Sequence, residues 1–576
     1  MLICGIKLTH DGGVAVIDGD RLLFSIETEK IANGLRYSPL GQLSVVTDVL
    51  RSEGCDPADI DQFVVDGWFD DDAFGGEAVP SGKPSRLSVG SGKDRKTLMV
   101  APYQDKGGDA DPVARFTFDD HDFGVPGGGY VSYHHVSNHL MGAYCASPFA
   151  AREEDAFVLV WDGGMMPRLY AVIAGTRQVV PVATLLPIAG NGFADFSSQF
   201  GPFHAPSLDL GNDEFLRRHL AIAGKAMAYA ALGTVNEDTF SVFDSLLADV
   251  RDGRPQSAVM VGETVARRRD EWFAGMSDAD LITSFQDYLG LRLLESLTSA
   301  VHGELPGQSP VPSQLSRSSR LNLVLAGGCA LNIKWNSRIR ASGVFNEIFI
   351  PPFPNDSGAA IGTAACEMFR RGGSGLKWDV YSGPRADVGQ LPAGWNSREC
   401  DERGVAQLLH ADGATVAVVD GRAELGPRAL GNRSILAAAT SLSMKDRLND
   451  MKDRASYRPV APVCLSSHAA DVFTPGGHDP YMLFEHRTRD QWSERIPAVL
   501  HLDETARLQT IDESANSATA RILAEYDKIS GIPVLCNTSA NFNGHGFFPD
   551  VASAARWGQA DYVWSNGRVY FGQDDR

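Results

Sequence analysis

The chain has 576 residues, enough for two or more domains rather than one core. Its composition, 43% hydrophobic and 22% charged, is that of an ordinary globular protein. The formal charge of −20 argues against a general binder of nucleic acid or anionic membrane, so any phosphate site must be a local basic island. No charged stretch followed by a short apolar run opens the sequence, and no apolar run reaches spanning length, so neither a leader nor a membrane span is expected. The eight cysteines form no CxxC pair and read as reduced thiols of a cytoplasmic protein.

In chain order, LICGIKL (2–8), VAVID (14–18) and RLLFSIE (21–27), separated by the turns THDGG and DGD, read as three hairpin-linked strands. Residues 67–130 are rich in Gly, Asp, Pro and Ser, and read as a loop-rich insertion that shapes an acceptor pocket. YHHVSNHLMGAY (133–144) reads as a helix. AFVLVWDGG (156–164) is a buried strand ending at Asp162, and RLYAVIAG and VVPVATLLP continue a meander. The pattern from about 214 to 302 is helical; LNLVLAGGCALN (321–332) and IFIPPFPNDSGAAIGTAACEMFRR (348–371) are strand–turn–helix units. RGGSGLKWDVYSGP (371–384) is the best linker and divides the chain into 1–375 and 376–576. Beyond it, GATVAVVDGRAELGPRALGNRS and GIPVLCNTSANFNG are strand–turn units again.

Polar residues placed just after buried strands are where metal and phosphate sites are built, because the strand is rigid and the turn exposes side chains and N–H groups. Four such places precede the linker: His10-Asp11-Gly12-Gly13, the His135/His139 helix, Asp162-Gly163-Gly164 and Asn355-Asp356-Ser357-Gly358. A helix sets His135 and His139 on one face. Val136 follows His135, so the general-base glutamate of the HExxH metalloproteases is missing. Two imidazoles with one or two aspartates suit Fe(II), Mn(II) or Zn(II). A lone HxxxH or DGG is common in proteins without any ligand, so only the combination carries weight. Gly327 and Gly328 follow an apolar strand, where glycine lets the backbone approach a nucleotide and the next helix N-terminus favours anions. Across 421–458 eight Lys/Arg stand against four acids. Lys445 and Arg447 fit a solvated helix with ion pairs. Arg428 in GPRALG and Arg458 in YRPVAP are turn-bound with apolar flanks, a setting in which an arginine holds an anion. Several in an acidic protein point to a pocket for a multiply charged small molecule.

Together these motifs resemble the O-carbamoyltransferases of antibiotic and nodulation-factor biosynthesis. The likeness runs from HDGGVAV through HVSNH, WDGG, GKAMA, LAGGCALN and PNDSGAAIG to GRAELGPRALGNRS, RPVAP, TARLQT and NTSAN, nearly the whole chain. It implies an α/β protein with an actin-like ATPase domain over 1–375, similar to the threonylcarbamoyl-adenosine synthases, and a YrdC-like α/β domain over 376–576. The second domain would make carbamoyl adenylate from carbamoyl phosphate and ATP with Mg; the first would pass the carbamoyl group to a hydroxyl of a small-molecule secondary metabolite. Matched motif by motif, His135, His139, Asp162 and Asp356 fall on metal ligands that hold iron in relatives, and His10 falls on the base of the transfer step. Arg428, Lys452, Arg458 and Arg507 fall on contacts to carbamoyl phosphate and ATP, with Asn537 nearby. Gly327, Gly328 and Asn332, beside Asp162, match adenosine contacts of the adenylate, and Lys225 a phosphate contact. Asn432 stands where a histidine is common, and Ala540 where NTSFN is usual. SIETEK is nearer to the branch that decorates secondary metabolites, which includes the hydroxymethylcephem enzymes, than to the nodulation branch. The resemblance implies no nucleic-acid or membrane partner and leaves a homodimer open. Two alternatives keep the folds. One is a tRNA threonylcarbamoyl-adenosine-type transferase, which the −20 charge disfavours. The other is a non-catalytic nucleotide-binding module, which has no need of so complete a set of residues.

Overall fold

The computed structural model describes residues 1–70, 83–105, 111–119, 129–204, 212–248, 257–515 and 517–572. They form two compact units: Met1–Thr28 with Tyr37–Asp379, and Glu29–Arg36 with Val380–Arg576. The units are not contiguous in sequence, since an eight-residue segment of the N-terminal half belongs to the second.

The first unit contains two mixed sheets built on one plan. Leu2–Lys7 (β1), Gly13–Asp18 (β2) and Arg21–Glu27 (β3) form an antiparallel meander, as the apolar runs between turns predict. Gln62–Asp66 (β4) then pairs parallel to β1; Phe116–Phe118 (β5) lies at the edge, antiparallel to Tyr130–Tyr133 (β6), which runs parallel to β4. The order is β3-β2-β1-β4-β6-β5. After the helix His135–Cys145 (α1), the second sheet repeats the scheme with Ala156–Val160 (β7), Arg168–Ile173 (β8), Gln178–Thr184 (β9), Asn322–Ala326 (β10) and Glu347–Phe349 (β11), in order β9-β8-β7-β10-β11. This doubled order is the actin-like architecture. Among the described residues from 212 to 302 the chain is mainly helical, as expected, and includes the long helix Asp278–Val301, opened by a Ser277–Asp280 capping box.

Two helices join the halves of this unit. All eleven residues of α1 are buried, and Ala359–Arg370 (α2) is buried up to its last residue. They approach so closely that a Cβ on Gly362 would lie 2.1 Å from the Asn138 carbonyl oxygen. A Cβ on Gly5 of β1 would lie 2.0 Å from the Ala360 carbonyl oxygen. The run of small residues in α2, AAIGTAA, is therefore a packing requirement.

The insertion differs from the expected loop. Ser85–Val89 and Lys96–Val100 form an antiparallel hairpin that buries Leu87, Val89, Leu98 and Val100. The cause is a five-residue alternation in each strand, short enough to be hidden by the surrounding Gly and Asp. The rest of the supposed acceptor loop over 71–82, 106–110 and 120–128 lies outside the described residues.

The second unit is built on an eight-stranded mixed sheet. Its strands are Trp395–Glu399 (β12), Val416–Val419 (β13), Arg433–Ala438 (β14), Ala461–Leu465 (β15), Gln509–Ile511 (β16), Val534–Ser539 (β17), Tyr562–Ser565 (β18) and Arg568–Gly572 (β19). The order is β12-β19-β18-β13-β14-β17-β15-β16. Central strands are buried along their length, with a hydrophobic cluster on each side of the sheet. All eight cysteines are free. Among the described residues, no helix is long and apolar enough to cross a membrane.

Candidate active site

In the first unit, Asp66 ends β4, His135 follows β6 by two residues, and Asp162 follows β7 of the second sheet by two residues. Ends of parallel strands are where α/β sheets form ligand sites. His135 and His139 sit one turn apart on α1, with their Nε2 atoms 3.1 Å from each other. Asp356 Oδ1 lies 3.4 Å from the first Nε2 and 3.3 Å from the second, and the Asp162 carboxylate lies 3.7 Å from each. All four side chains are buried.

The outer face of each imidazole fixes its tautomer. His135 Nδ1 donates to Asp66 at 2.9 Å, and His139 Nδ1 donates to the Pro354 carbonyl at 3.1 Å. Both Nε2 atoms therefore point inward, toward two carboxylates; burial opposes charge on the His135 ring, yet Asp66 and Asp356 hold its pKa well above the usual imidazole value. Lone pairs this close repel unless a proton or a cation lies between them. The donor set and its outer hydrogen bonds fit a divalent metal with mixed N/O ligation.

Further residues hold this arrangement. Lys7, fully buried, pairs with Asp66 at 2.8 Å and Asp356 at 3.0 Å, and its ammonium lies 3.7 Å from the Trp68 ring centre. Burial opposes charge on Asp356, yet Lys7, His135 and His10 hold its carboxyl well below the usual carboxylate range. Burial likewise opposes charge on Asp66, which His135 and Lys7 hold below its ordinary value. Asp162 accepts from the Tyr103 hydroxyl and from the Gly328 N–H, each at 2.8 Å. His10 Nδ1 bonds Asp11 at 2.9 Å and lies 3.5 Å from Asp356. A left-handed Asp11, at φ 55°, turns its carboxylate back onto the neighbouring ring.

The glycine turn lies against Asp162 as well. Gly327 adopts φ 87°, and a Cβ there would fall 2.3 Å from the Trp161 carbonyl oxygen, so only glycine fits. Asn332 has its carboxamide oxygen taken up in capping Ile333–Ala341, through the N–H groups of Lys334 and Trp335. Lys225 is exposed on the helix Ile222–Tyr229.

In the second unit, Asn537 ties two of the basic motifs together. Its Nδ2 donates to Ala429 O at 3.1 Å and to Gln509 Oε1 at 2.7 Å, while Gln509 Nε2 donates to Leu430 O at 2.8 Å. Arg428 and Arg507 are the chain neighbours of these residues, and Arg507 lies close enough to Arg428, Arg458 and Arg454 for their charges to act on it. Burial and then Arg428, Arg458 and Arg454 push the Arg507 guanidinium well below its usual range, with only a partial offset from Asp479. Burial and then the cations Arg458, Arg36 and Arg428 push Arg454 down to about 9. Such a cluster of like charges fits an anionic ligand. Two basic side chains are turned elsewhere. Lys452 donates to Ser539 O, Asn541 O and Asn541 Oδ1, so its three ammonium hydrogens secure a turn instead of facing the pocket. Arg433, buried, donates to five backbone carbonyls.

Sequence reasoning missed Lys7, Asp66 and Tyr103 beside the four ligand candidates and Arg36 near the arginine cluster, and counted Arg454 only among the basic residues of 421–458. Asp66 ends the apolar run QFVVD, the same signal that marked Asp162, and Lys7 is the one charge in LICGIKL. Nothing local marks Tyr103 or Arg36.

These features define a two-unit α/β protein with a candidate metal centre in the first unit and a cluster of arginines in the second. The family profile described as carbamoyltransferase N-terminus matches residues 2–75 and 128–366, and the carbamoyltransferase C-terminus profile matches 406–563. The chain is 43% identical over 589 residues to nodulation protein U of Rhizobium tropici, covering 99% of this chain and 96% of that one. It is 33% identical over 568 residues to the 3'-hydroxymethylcephem-O-carbamoyltransferase of Streptomyces clavuligerus, covering 97% and 96%. Among solved structures, the activator of the 2-hydroxyisocaproyl-CoA dehydratase from Clostridium difficile with bound ADPNP covers 64% of this chain and 95% of its own. At 14% identity and a TM-score of 0.32, that likeness is too slight to carry function. The chain belongs to the carbamoyltransferase family and is an enzyme. The nearness of SIETEK to the secondary-metabolite branch is corrected by these identities, which favour the nodulation relative over the cephem one. Six residues are too short a stretch to set a branch against the whole chain.

Proposed function

We propose that the second unit makes carbamoyl adenylate and that the first unit transfers the carbamoyl group to a small-molecule hydroxyl. In the first step water cleaves carbamoyl phosphate to carbamate and phosphate. A carbamate oxygen then attacks the α-phosphorus of ATP, and pyrophosphate leaves. In the second step the acceptor hydroxyl attacks the carbamoyl carbon, its proton passes to His10, and the bond to AMP breaks with the electron pair on AMP.

The observation that carries this reading is the arginine cluster of the second unit. Carbamoyl phosphate and ATP are both anions, and preorganised guanidinium groups offset their repulsion before they react. Arg428, Arg458 and Arg507 would hold the phosphates, with Arg454 beside them, while Lys452 and Asn537 keep the pocket's walls in place. In the first unit His135, His139, Asp162 and Asp356 would hold a divalent ion, Fe(II), Mn(II) or Zn(II), whose chemistry is to neutralise and orient the adenylate phosphate. Gly327 and Gly328 offer backbone N–H groups and close approach to the adenylate. Asp11 orients His10 for the hydroxyl proton. Given the relatives, acceptors of the nodulation-factor class are the first to test and 3'-hydroxymethylcephem the second.

The test is pyrophosphate release with carbamoyl phosphate and Mg-ATP, set against threonine, bicarbonate and Mg-ATP. Release in the first mixture alone is expected. Release in the second alone would replace this reading with the tRNA-type reaction. His10→Ala should keep the release yet lose the acceptor's mass gain of one carbamoyl group; transfer at the wild-type rate would remove His10 from its role.

A further inference from the structure

The carboxylates of the candidate metal centre are held from outside as well as aimed inward. Asp356 points Oδ1 at the imidazole pair, 3.4 Å and 3.3 Å from the two Nε2 atoms. Its Oδ2 is turned to the Lys7 ammonium at 3.0 Å, with His10 Nδ1 at 3.5 Å. Asp162 accepts at Oδ2 from the Tyr103 hydroxyl and at Oδ1 from the Gly328 N–H. The Lys7 ammonium also pairs at 2.8 Å with Asp66, the partner of His135 Nδ1. Its remaining side lies 3.7 Å from the centre of the Trp68 ring, which stands edge-on to both His135 and His10.

Lys7 is fully buried, so water does little to screen these charges. A cation 3.0 Å from a ligand carboxylate works against metal binding. It draws one oxygen of Asp356 out of the donor set and repels a second positive charge. Its benefit lies in what the loaded centre accepts next. Three buried carboxylates, Asp66, Asp162 and Asp356, lie close around the imidazole pair. With Lys7 charged, a divalent ion brings the formal charge of this group to zero. Without Lys7, the same ion leaves one negative charge uncompensated in a buried setting, where it repels an approaching phosphate.

We propose that Lys7 is a positioning residue of the transfer site: it holds Asp356 to ligation through Oδ1 alone and offsets one buried carboxylate, so that the metal centre admits the anionic phosphate of the adenylate. This rests on the transfer reading above. Lys7 therefore lowers the affinity for metal and raises the affinity for the anion, two effects of opposite sign that a side chain acting only as a prop would not produce.

The experiment uses the full chain loaded with one equivalent of Mn(II), and AMP as the probe. Mn(II) affinity is read by competition with a chelator. AMP affinity is read from the broadening of its phosphorus NMR resonance by the bound Mn(II), which reports phosphate at the metal itself. Lys7→Met keeps an unbranched stem and removes the charge. It should bind Mn(II) about tenfold or more tightly than wild type, and AMP about tenfold or more weakly. Adding Asp66→Asn to Lys7→Met restores the sum of charges and should recover AMP affinity. Unchanged or weakened Mn(II) binding by Lys7→Met overturns the proposal, and so does wild-type AMP affinity in that variant or no recovery in the double one. If Lys7→Met loses its cooperative melting transition, the comparison moves to Asp66→Asn with and without Lys7→Met, where the same two shifts are expected. Loss of melting there as well would mark Lys7 as structural and overturn the proposal. Absence of broadening in the wild type would instead overturn the reading of the first unit as the site that presents an adenylate.

Discussion

Asp66 is not one of the four ligand candidates, yet three side chains of the first unit depend on it. It accepts from His135, Lys7 and Asn138 in a fully buried setting. Removing it frees the His135 ring to turn and leaves the Lys7 ammonium with Asp356 alone. Asp66→Ala is therefore expected to lower metal affinity by about 10- to 100-fold, the usual effect of losing a ligand's outer partner. Metal content after dialysis against graded chelator measures this, and wild-type retention would show that His135 needs no such support. His135 and His139 stood out in the sequence by their one-turn spacing on a helix, and Asp162, Asp356 and His10 as polar residues just after apolar runs. Asp66 has the same signature, but it opens a Gly- and Asp-rich stretch and was overlooked. Lys7 was hidden by its strand, where the sequence shows a charge and only the fold shows two carboxylates waiting for it. The roles of Asn332 and Lys452 depended on hydrogen bonds that spacing does not reveal.

Helices α1 and α2 carry or follow three of the four ligand candidates, so their spacing sets the spacing of the site. They touch through Gly142 and Gly362, where a Cβ on the first would lie 2.9 Å from the second's Cα. Gly362→Ala must push the helices apart, because its new Cβ would meet backbone and not a movable side chain. A loss of about 1–3 kcal/mol of stability is expected, as for other overpacked cores. Metal affinity should fall with it. Thermal melting and metal titration of the same preparation test the link; a lowered melting temperature with unchanged metal affinity would separate packing from site geometry. Strands and long helices at this scale were legible from period and turn chemistry. The hairpin Ser85–Val89 and Lys96–Val100 was not, since two five-residue alternations cannot compete with the composition around them.

Across the molecule a strong negative charge coexists with a local concentration of guanidinium groups. An arginine does not give up its proton in a protein, so the repulsion around Arg454 and Arg507 persists at neutral pH until an anion arrives. Pyrophosphate, which carries the right charge and no reactive bond to the acceptor, should raise the melting temperature at low salt. Saturation a hundredfold above its dissociation constant corresponds to about 2.7 kcal/mol of added stability. The gain should shrink in high salt, and Arg458→Ala should lose most of it; an equal shift in that variant would place the anion elsewhere. The mixed α/β class and the basic island were legible from composition and local clustering, whereas the membership of Glu29–Arg36 in the second unit was not. No local pattern records which distant turn a short segment will pair with. That membership bears on how such enzymes can be recombined. The chain passes between its units at 28/29, at 36/37 and at 379/380, so a hybrid of two relatives joined only at the linker would unite one parent's pocket with the other parent's Lys30 and Arg36. A faithful exchange of the second unit takes three junctions.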